Sequence, residues 1–190
     1  MNDDFAAART NMVDSQVRPS DVTDIFIQDA MRDIRREAFV PPAKWALAYA
    51  DTEVEYAPGR WLLRPRDLAK LVQALSPKTG EVALAISAPY AGAVLDHMGL
   101  GVSACDAAGP VPARAGGWPL IVCEGAVSKA PQDWLDALAP GGRLGVVERD
   151  GVLGRAMIYV RGPAAIGSRP AFDSTPPVLA GFEPQTRFVF

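Results

Sequence analysis

The sequence predicts an α/β fold built on a mostly parallel β-sheet, and two observations support this prediction. Strand-like apolar runs alternate with helix-like segments through the central part of the chain. The composition, 49% hydrophobic and 22% charged over 190 residues, is that of a globular chain able to bury a core. We therefore expect a single domain (1–190) in which an N-terminal helical segment (1–78) packs on an α/β core (79–161). A tail (162–190) rich in proline and glycine should follow and contain a final strand at 187–190.

Two helices are expected in the N-terminal segment. The first begins after Ser20, which we interpret as its N-cap, and it stops before Pro41. The second covers 65–75, and the chain between residues 50 and 60 is expected to be irregular. The apolar residues of the first helix recur at helical spacing and should form one buried face. They are Val22, Ile25, Phe26, Ala30 and Ile34.

The α/β core is expected to contain five strands and two helices. The strands are 82–86, 101–105, 120–123, 144–148 and 155–160, and the helices are 90–98 and 131–138. Asp150 and Gly151 form a strong hairpin signal, which makes the last two of these strands antiparallel.

Charge and composition exclude several classes of function. A net charge of −3 and a pI of about 5.2 argue against a nucleic-acid binder. No apolar run approaches the roughly 20 residues that cross a bilayer, so we expect no membrane span. The acidic N-terminus lacks the pattern of a signal peptide, and Cys105 and Cys123 are interpreted as buried, reduced thiols rather than a disulfide, so we expect a cytoplasmic protein. His97 is the single histidine, and we expect no metal site.

Four segments resemble, in order, motifs of the protein-L-isoaspartate O-methyltransferase family, within the class I S-adenosylmethionine-dependent methyltransferases. They are 31–41, which ends in Phe-Val-Pro; 48–51, Ala-Tyr-Ala-Asp; 90–95, Tyr-Ala-Gly-Ala-Val-Leu; and 138–144, which contains Pro-Gly-Gly-Arg-Leu. The resemblance implies a Rossmann-like methyltransferase sandwich, a mostly parallel sheet with antiparallel C-terminal strands and an N-terminal helical extension. It also implies S-adenosylmethionine as cofactor and protein isoaspartyl carboxylates as substrates.

The segment that corresponds to the family's cofactor loop departs from the family pattern. The family has Ile-Gly-x-Gly-Thr-Gly-Tyr, whereas 86–90 reads Ile-Ser-Ala-Pro-Tyr, two residues shorter and without glycine. Glycines permit positive φ and close approach of the backbone to a cofactor, while Pro89 fixes φ and lacks an N–H. If a cofactor is bound at all, the expected binding residues are Ser87, Ala88, Tyr90, Asp106, Glu124 and Gly125.

Two acidic positions in that set have alternative interpretations. Asp106 stands where the family has an acid that hydrogen-bonds the ribose hydroxyls, and its alternative is a solvated acid at a strand end. Glu124 and Gly125 follow a strand at its carboxyl end, where open α/β sheets bind ligands. Their alternative is a turn that leads into the next helix, with Ser128 as its cap.

The expected substrate-binding stretch is also altered. The family has Gly-Gln-Thr-Ile-Ser-Gln-Pro, whose hydroxyls meet the substrate carboxylate, and here 59–65 places Trp61 and Leu63 at the Thr and Ser positions. Neither side chain can hydrogen-bond a carboxylate. Arg60 and Arg64 remain candidates for binding an anionic substrate. The interpretation we favour is two solvated arginines that flank a buried Trp61 and Leu63.

Residues 107–119 predict a deletion. These 13 residues include three prolines and three glycines, whereas the family places a helix and a strand there, and a helical crossover needs a dozen or more residues. The third strand and its helix are therefore expected to be missing, which makes 101–105 an edge strand unless the loop covers it. Because bare edges invite pairing, a homodimer through Gly101–Cys105 or a docked partner strand is expected.

These departures together favour a non-catalytic methyltransferase-fold protein (a pseudoenzyme) that needs no cofactor, has no catalytic residues and binds a protein or peptide. The alternative is an active S-adenosylmethionine-dependent protein carboxyl methyltransferase with an atypical loop. A third hypothesis is a binder of another nucleotide-like ligand, which requires Asp106 to keep its ribose role.

Overall fold

The structure, a computed structural model, describes residues 2–184. Its strands are β1 (Val54–Ala57), β2 (Arg60–Leu62), β3 (Val82–Ile86), β4 (Gly101–Cys105), β5 (Trp118–Val127), β6 (Leu138–Asp150), β7 (Leu153–Arg161) and β8 (Ile166–Asp173). Its α-helices are α1 (Asn2–Met12), α2 (Ile25–Asp33), α3 (Pro65–Leu75), α4 (Pro89–His97) and α5 (Gln132–Asp136). A π-helical turn (Val13–Val17) and three 3-10 turns (Arg18–Ser20, Arg36–Phe39 and Pro42–Leu47) link the N-terminal helices.

The central sheet has six strands in the order β4-β3-β5-β6-β7-β8. β3 pairs in parallel with β4 and β5, and β5 pairs in parallel with β6. β6, β7 and β8 pair antiparallel, and the hairpin predicted at Asp150 and Gly151 joins β6 to β7. The predicted mostly parallel sheet with antiparallel C-terminal strands is confirmed.

The predicted bounds are accurate for α3, β3 and β4. β5, β6 and β7 extend beyond the predicted strands. Three elements were not predicted: α1, β8 and the antiparallel hairpin of β1 and β2, which occupies the stretch expected to be irregular. The predicted strand at 187–190 lies outside the described residues.

The first predicted helix begins later than expected. Its N-cap is Asp24, whose carboxylate accepts the N–H groups of Phe26 (2.9 Å) and Ile27 (3.4 Å). Ser20 lies in the preceding 3-10 turn, and its hydroxyl donates to the carbonyl of Gln16 (2.7 Å). The predicted N-cap is therefore wrong, because an acid four residues later supplies the free helix N–H groups with an acceptor.

The predicted buried face of this helix is wrong at Ile25 and Phe26, although Val22, just before the helix, is buried as predicted. Ile25 and Phe26 are 61% and 68% exposed, whereas Ile27, Ala30 and Met31 are fully buried. The buried positions keep helical spacing, i, i+3 and i+4, but counted from Ile27.

No helix or strand lies between β4 and β5 in the structure, as the deletion predicts. The connecting loop returns across β3, with Val111 packed against the apolar cluster on that face of the sheet. The indole Nε1 of Trp118 donates to the carbonyl of Pro112 (2.9 Å) and holds the end of the loop. β4 is consequently an edge strand.

Two apolar clusters cover the two faces of the sheet. The larger one joins the sheet to α2, α3, α4 and the end of α1, and the smaller one includes Trp134 of α5, Trp118 and Leu179. Parallel β3, β4 and β5 place the residues at their carboxyl ends along one side of this layered core. That side carries most of the residues predicted to bind a cofactor.

Candidate functional site

The 86–90 loop is held by hydrogen bonds within the chain. Ser87 has φ of +44°, a left-handed conformation that is uncommon for a residue with a side chain. Its N–H donates to the carbonyl of Cys105 (2.8 Å), and its hydroxyl accepts the N–H of Ala107 (2.8 Å). Ala88 is buried, and Pro89 begins α4 at a position where a missing N–H costs nothing. Ser87 thus ties the end of β3 to the end of β4.

Asp106 directly follows β4 and is bound by Arg60 of β2. The guanidinium contacts both carboxylate oxygens, Nε to Oδ2 at 2.8 Å and Nη2 to Oδ1 at 2.7 Å. The Ser87 hydroxyl donates to Oδ2 (3.2 Å), and the N–H of Ala108 donates to Oδ1 (2.9 Å). The Arg60 hydrogen bonds, with smaller help from Ala108 and Ser87, hold the pKa of Asp106 well below its ordinary value.

This pairing corrects two interpretations of the sequence. The Arg60 side chain is only 11% exposed, so it is not a solvated arginine. Asp106 is 53% exposed but fully engaged by donors, so it is not simply a solvated acid at a strand end. Arg60 Nη1 also lies 3.3 Å from the carbonyl of Ala180, which anchors the guanidinium on a second side.

Arg64 has a different partner and does not join Arg60 in one anion site. Its Nε and Nη2 both donate to Oε1 of Glu53, at 2.8 and 2.7 Å, and the side chain is 23% exposed. The interpretation as a solvated arginine is therefore wrong for Arg64 as well. Leu63 is fully buried as expected, and Trp61 is partly buried against the smaller apolar cluster.

Glu124 is fully buried inside β5, where it meets the start of α4. Its Oε2 accepts the N–H groups of Tyr90 and Ala91, each at 3.2 Å. Burial raises the pKa of Glu124 to about 7, an effect that the positive charge of Arg36 and nearby backbone N–H groups oppose. Its other oxygen, Oε1, makes no hydrogen bond of normal geometry.

The predicted alternative for Glu124, a turn capped by Ser128, is wrong. β5 continues through Val127, and its register with β6 shifts between Val122 and Ala126. Gly125 lies in this irregularity with φ of +98°, and a Cβ there would come within 2.5 Å of the Leu179 side chain. The strand therefore requires glycine at this position, and the irregularity accompanies the turn of Glu124 toward α4.

Arg36 was not predicted as part of the site. It is fully buried, with Nε donating to the carbonyl of Ala48 (2.8 Å) and Nη2 to that of Leu63 (2.7 Å). Its guanidinium lies 4.8 Å from the centre of the Tyr90 ring, and burial lowers its pKa. Among the described residues, Nη1 of Arg36 and the hydroxyl of Tyr90 find no hydrogen-bond partner. The available signal in the sequence was its place inside the first motif that resembles the family, residues 31–41.

Tyr56 was also missed, because it belongs to the unpredicted hairpin. Its hydroxyl donates to the carbonyl of Ser87 (3.1 Å), and burial raises its pKa to about 12. With Arg60 on the other strand of the same hairpin, this contact places β1 and β2 against the carboxyl ends of β3 and β4.

No family model matches the chain. It is 33% identical over 165 residues to the protein-L-isoaspartate O-methyltransferase of Methylorubrum populi, covering 73% of this chain and 78% of that protein. It is 34% identical over 168 residues to protein-L-isoaspartate O-methyltransferase 1 of Rhodopseudomonas palustris, covering 74% of this chain and 69% of that protein. The chain belongs to the protein-L-isoaspartate O-methyltransferase family. A match of 38% identity to the enzyme of Methylorubrum extorquens spans 46% of that protein.

Two solved structures show the same fold. The protein-L-isoaspartate O-methyltransferase of Plasmodium falciparum in complex with S-adenosyl-L-homocysteine has a TM-score of 0.71 at 14% identity, over 90% of this chain and 97% of that chain. A second protein-L-isoaspartate O-methyltransferase has a TM-score of 0.68 at 16% identity, over 91% of this chain and 66% of that chain. The resemblance to the family's fold that the sequence motifs suggested is confirmed.

The described residues form neither a metal site nor a membrane-spanning helix. Among the residues the structure describes, no three His, Cys, Asp or Glu side chains gather where they could hold a metal ion. Across the same part of the chain, the helices are all too short or too polar to traverse a bilayer. His97, at the end of α4, lies 3.3 Å from a carboxylate oxygen of Asp33.

Proposed function

We propose that this chain is a non-catalytic member of its family, in which its own side chains fill the nucleotide site and which acts in the cytoplasm by binding a protein or peptide. The contact of Arg60 with Asp106 carries the proposal. In the family, an acid at this position receives two hydrogen bonds from the ribose hydroxyls. Here the guanidinium fork supplies two parallel donors to the same two oxygens, at 2.8 and 2.7 Å. Arg60 and a ribose therefore compete for one acceptor.

Glu124 supports the proposal at the other end of the site. The first N–H groups of a helix form a natural anion site, which suits the carboxylate end of an amino acid. In this chain the N–H groups of Tyr90 and Ala91 are taken by the buried Glu124 carboxylate. A ligand carboxylate at the start of α4 would meet both occupied donors and an acidic side chain.

The loop between these two acids offers little backbone to a ligand. The Ser87 N–H is bonded to Cys105, the Ser87 carbonyl is bonded to Tyr56, and Pro89 has no N–H. The family's glycine loop relies on free backbone groups at these positions. A short loop whose polar groups are already paired gives a methyl donor few contacts.

The residues of the expected substrate-binding stretch also support a non-catalytic protein. Methyl transfer to a carboxylate needs little acid–base help, because the nucleophile is already ionised, so catalysis depends on positioning. Leu63 is buried and Trp61 has no hydroxyl, while Arg60 and Arg64 are each paired with a carboxylate of the chain. Positioning groups for both reactants are thus absent or engaged among the described residues.

A cytoplasmic location is part of the proposal, and the two cysteines support it. Cys105 and Cys123 are both free thiols in the structure. Free cysteines are usual in a reducing compartment.

Titration calorimetry with S-adenosylmethionine and S-adenosylhomocysteine tests the proposal. The Plasmodium falciparum protein, whose structure contains S-adenosylhomocysteine, serves as the positive control. We expect no heat of binding to this chain at millimolar ligand and no methyl transfer to an isoaspartyl peptide. Micromolar binding with turnover would overturn the proposal in favour of an active methyltransferase. Binding of a nucleoside without turnover would favour the nucleotide-ligand hypothesis, for which Asp106 must be released by Arg60.

A further inference from the structure

Within residues 2–184, the backbone groups on the outer side of β4 are unpaired and form a regular pattern. On its inner side, Gly101 N–H donates to the carbonyl of Glu81 (2.9 Å), and the carbonyl of Cys105 accepts the Ser87 N–H (2.8 Å). In a strand, successive residues direct their N–H and C=O groups to opposite sides. Gly101, Ser103 and Cys105 therefore pair with β3, and the N–H and C=O groups of Val102 and Ala104 point outward.

This edge lacks the devices that usually protect one. Natural edge strands carry lysine, proline, a bulge or a covering segment. β4 has no charged residue and no proline, and its register with β3 is regular over all five pairs. Within residues 2–184, no strand pairs with its outer side.

The opposite edge of the same sheet is protected. β8 contains Arg169 and Pro170, and its register with β7 shifts between Ala156 and Met157. The two edges of one sheet therefore differ, and the unprotected one is the strand exposed by the deletion.

We propose that β4 pairs antiparallel with β4 of a second copy of this chain, with the two-fold axis at Ser103. In this register Val102 of one copy lies opposite Ala104 of the other, and each such pair exchanges both N–H···O bonds, because these residues have the outward groups. Ser103 then faces Ser103 in a pair without hydrogen bonds. The sheets of the two copies would join into one continuous sheet.

The side chains of β4 fit a second copy. Antiparallel pairing about Ser103 sets Gly101 against Cys105 and Val102 against Ala104, so small neutral side chains meet and no like charges face each other. Such an interface is self-complementary, as two-fold dimers require. Because β4 has no charged residue, it has no feature that would favour a charged partner strand over a second copy of β4. The inference goes beyond the proposed function and does not depend on whether a nucleotide binds.

Sedimentation velocity over the micromolar range tests the dimer. We expect the wild-type chain to dimerise, and Ser103→Lys to be monomeric, because two lysines would face each other across the axis. Ser168→Lys on β8 is the matched control, a lysine at an exposed position of the other edge, and it should remain dimeric. A monomeric wild type at high micromolar concentration would overturn the proposal. So would dissociation by Ser168→Lys but not by Ser103→Lys.

Cross-linking tests the register. In a Cys105→Ala background, Ser103→Cys should form an intermolecular disulfide under mild oxidation, because the two residues lie directly opposite and close. Ser168→Cys in the same background should stay uncrosslinked. A wild-type dimer in which Ser103→Cys fails to cross-link would place the interface elsewhere and contradict the proposal. Circular dichroism confirms that each variant is folded.

Discussion

Asp106, directly after β4, and Glu124, within β5, lie at the two strands that flank β3, yet their pKa values shift in opposite directions. Asp106 is half-exposed and faces the guanidinium of Arg60, which holds its pKa well below the ordinary value. Glu124 is fully buried and receives only backbone N–H groups, and its pKa rises to about 7. A full opposing charge in bidentate contact favours the ionised form of one acid. Backbone N–H groups and the charge of Arg36, which does not hydrogen-bond Glu124, do not compensate for the loss of water around the other.

The comparison shows two ways to occupy a ligand site from within. Arg60 donates to Asp106 as the ribose hydroxyls of a ligand would. Glu124 accepts the N–H groups at the start of α4 as a ligand carboxylate would. The Arg60–Asp106 contact lies near the surface and can be reversed, because the arginine side chain can rotate away from Asp106. The Glu124 carboxylate, by contrast, lies in the core and is part of its packing. We therefore expect changes at Glu124 to affect stability, and changes at Arg60 to affect binding.

The largest expected effect is on the stability of Glu124→Ala. At neutral pH this variant leaves the Tyr90 and Ala91 N–H groups without an acceptor in the core and removes an acid whose charge acts on the buried Arg36, a loss of about 3 kcal/mol. Asp106→Ala should lose only about 1 kcal/mol, because its salt bridge is partly exposed. Urea unfolding of both variants measures the difference. Equal losses would contradict the distinction drawn between the two acids.

Glu124 and Asp106 should also differ in how their contributions to stability change with pH. Glu124 has an unfolded pKa near 4.5 and a folded pKa of about 7, so between these values the folded state holds a proton that the unfolded state has released. Rising pH therefore lowers the free energy of unfolding, by about 3 kcal/mol in full at roughly 1.4 kcal/mol per pKa unit. Asp106, with its lowered pKa, contributes in the opposite sense, and its stabilisation is lost as the pH falls below its unfolded value.

Glu124→Gln isolates this effect. The amide oxygen can still accept the helix N–H groups but does not titrate, so the variant should gain stability relative to wild type as the pH rises from 4.5 to 8. The comparison with wild type is needed because burial also raises the pKa of Asp67. Urea midpoints at several pH values give the profile. A constant offset between the two proteins across this range would show that Glu124 is ionised throughout.

Whether a feature of the fold or the site could be predicted from the sequence depends on how far apart along the chain its interacting residues lie. Helical periodicity predicted the bounds of α3, and the bounds of β3 and β4 followed from short strand-like runs that end at a turn or at Asp106. The Arg60–Asp106 contact joins residues 46 positions apart, and no local pattern encodes it. The hairpin that carries Arg60 was missed, although Pro58-Gly59 is a turn signal between two short strand-like runs.

The burial of Glu124 and Arg36 could not be predicted either. Glu124 was expected at the carboxyl end of a strand, either facing a ligand or in a turn capped by Ser128, whereas β5 continues past Glu124 through an irregularity at Gly125. Charged residues are seldom fully buried, so composition alone argues against the arrangement. The missing strand, by contrast, was predictable, because thirteen residues with three prolines cannot supply a helix and a strand.

Arg60→Ala tests whether the Arg60–Asp106 contact can be reversed. Removing the guanidinium should raise the pKa of Asp106 toward its ordinary value and free both oxygens for a diol. We expect weak, millimolar adenosine binding to appear in the variant and to be absent from wild type, measured by calorimetry or by chemical-shift changes. Stability should fall by about 1 kcal/mol or less, as for other partly exposed ion pairs.

Arg64→Ala is the matched control, because it releases Glu53 rather than Asp106 and sits only four residues away. It should gain no affinity for adenosine. If Arg60→Ala also gains none while its Asp106 titrates normally, the short loop excludes the nucleoside by itself. Arg60 would then occupy a site that the short loop had already closed to nucleosides, and it would not itself be the cause of the closure.

The smallest expected effect is that of Tyr56→Phe, which removes one hydroxyl located between the two acids. The Ser87 carbonyl loses its 3.1 Å hydrogen bond at a partly buried position, which should cost about 0.5–1 kcal/mol in urea unfolding. The difference between wild type and Glu124→Gln in their pH profiles should persist in the Tyr56→Phe background, because burial rather than the phenol sets the pKa of Glu124. If that difference disappeared, the hydroxyl would be coupling the two acids, and they could no longer be treated as independent.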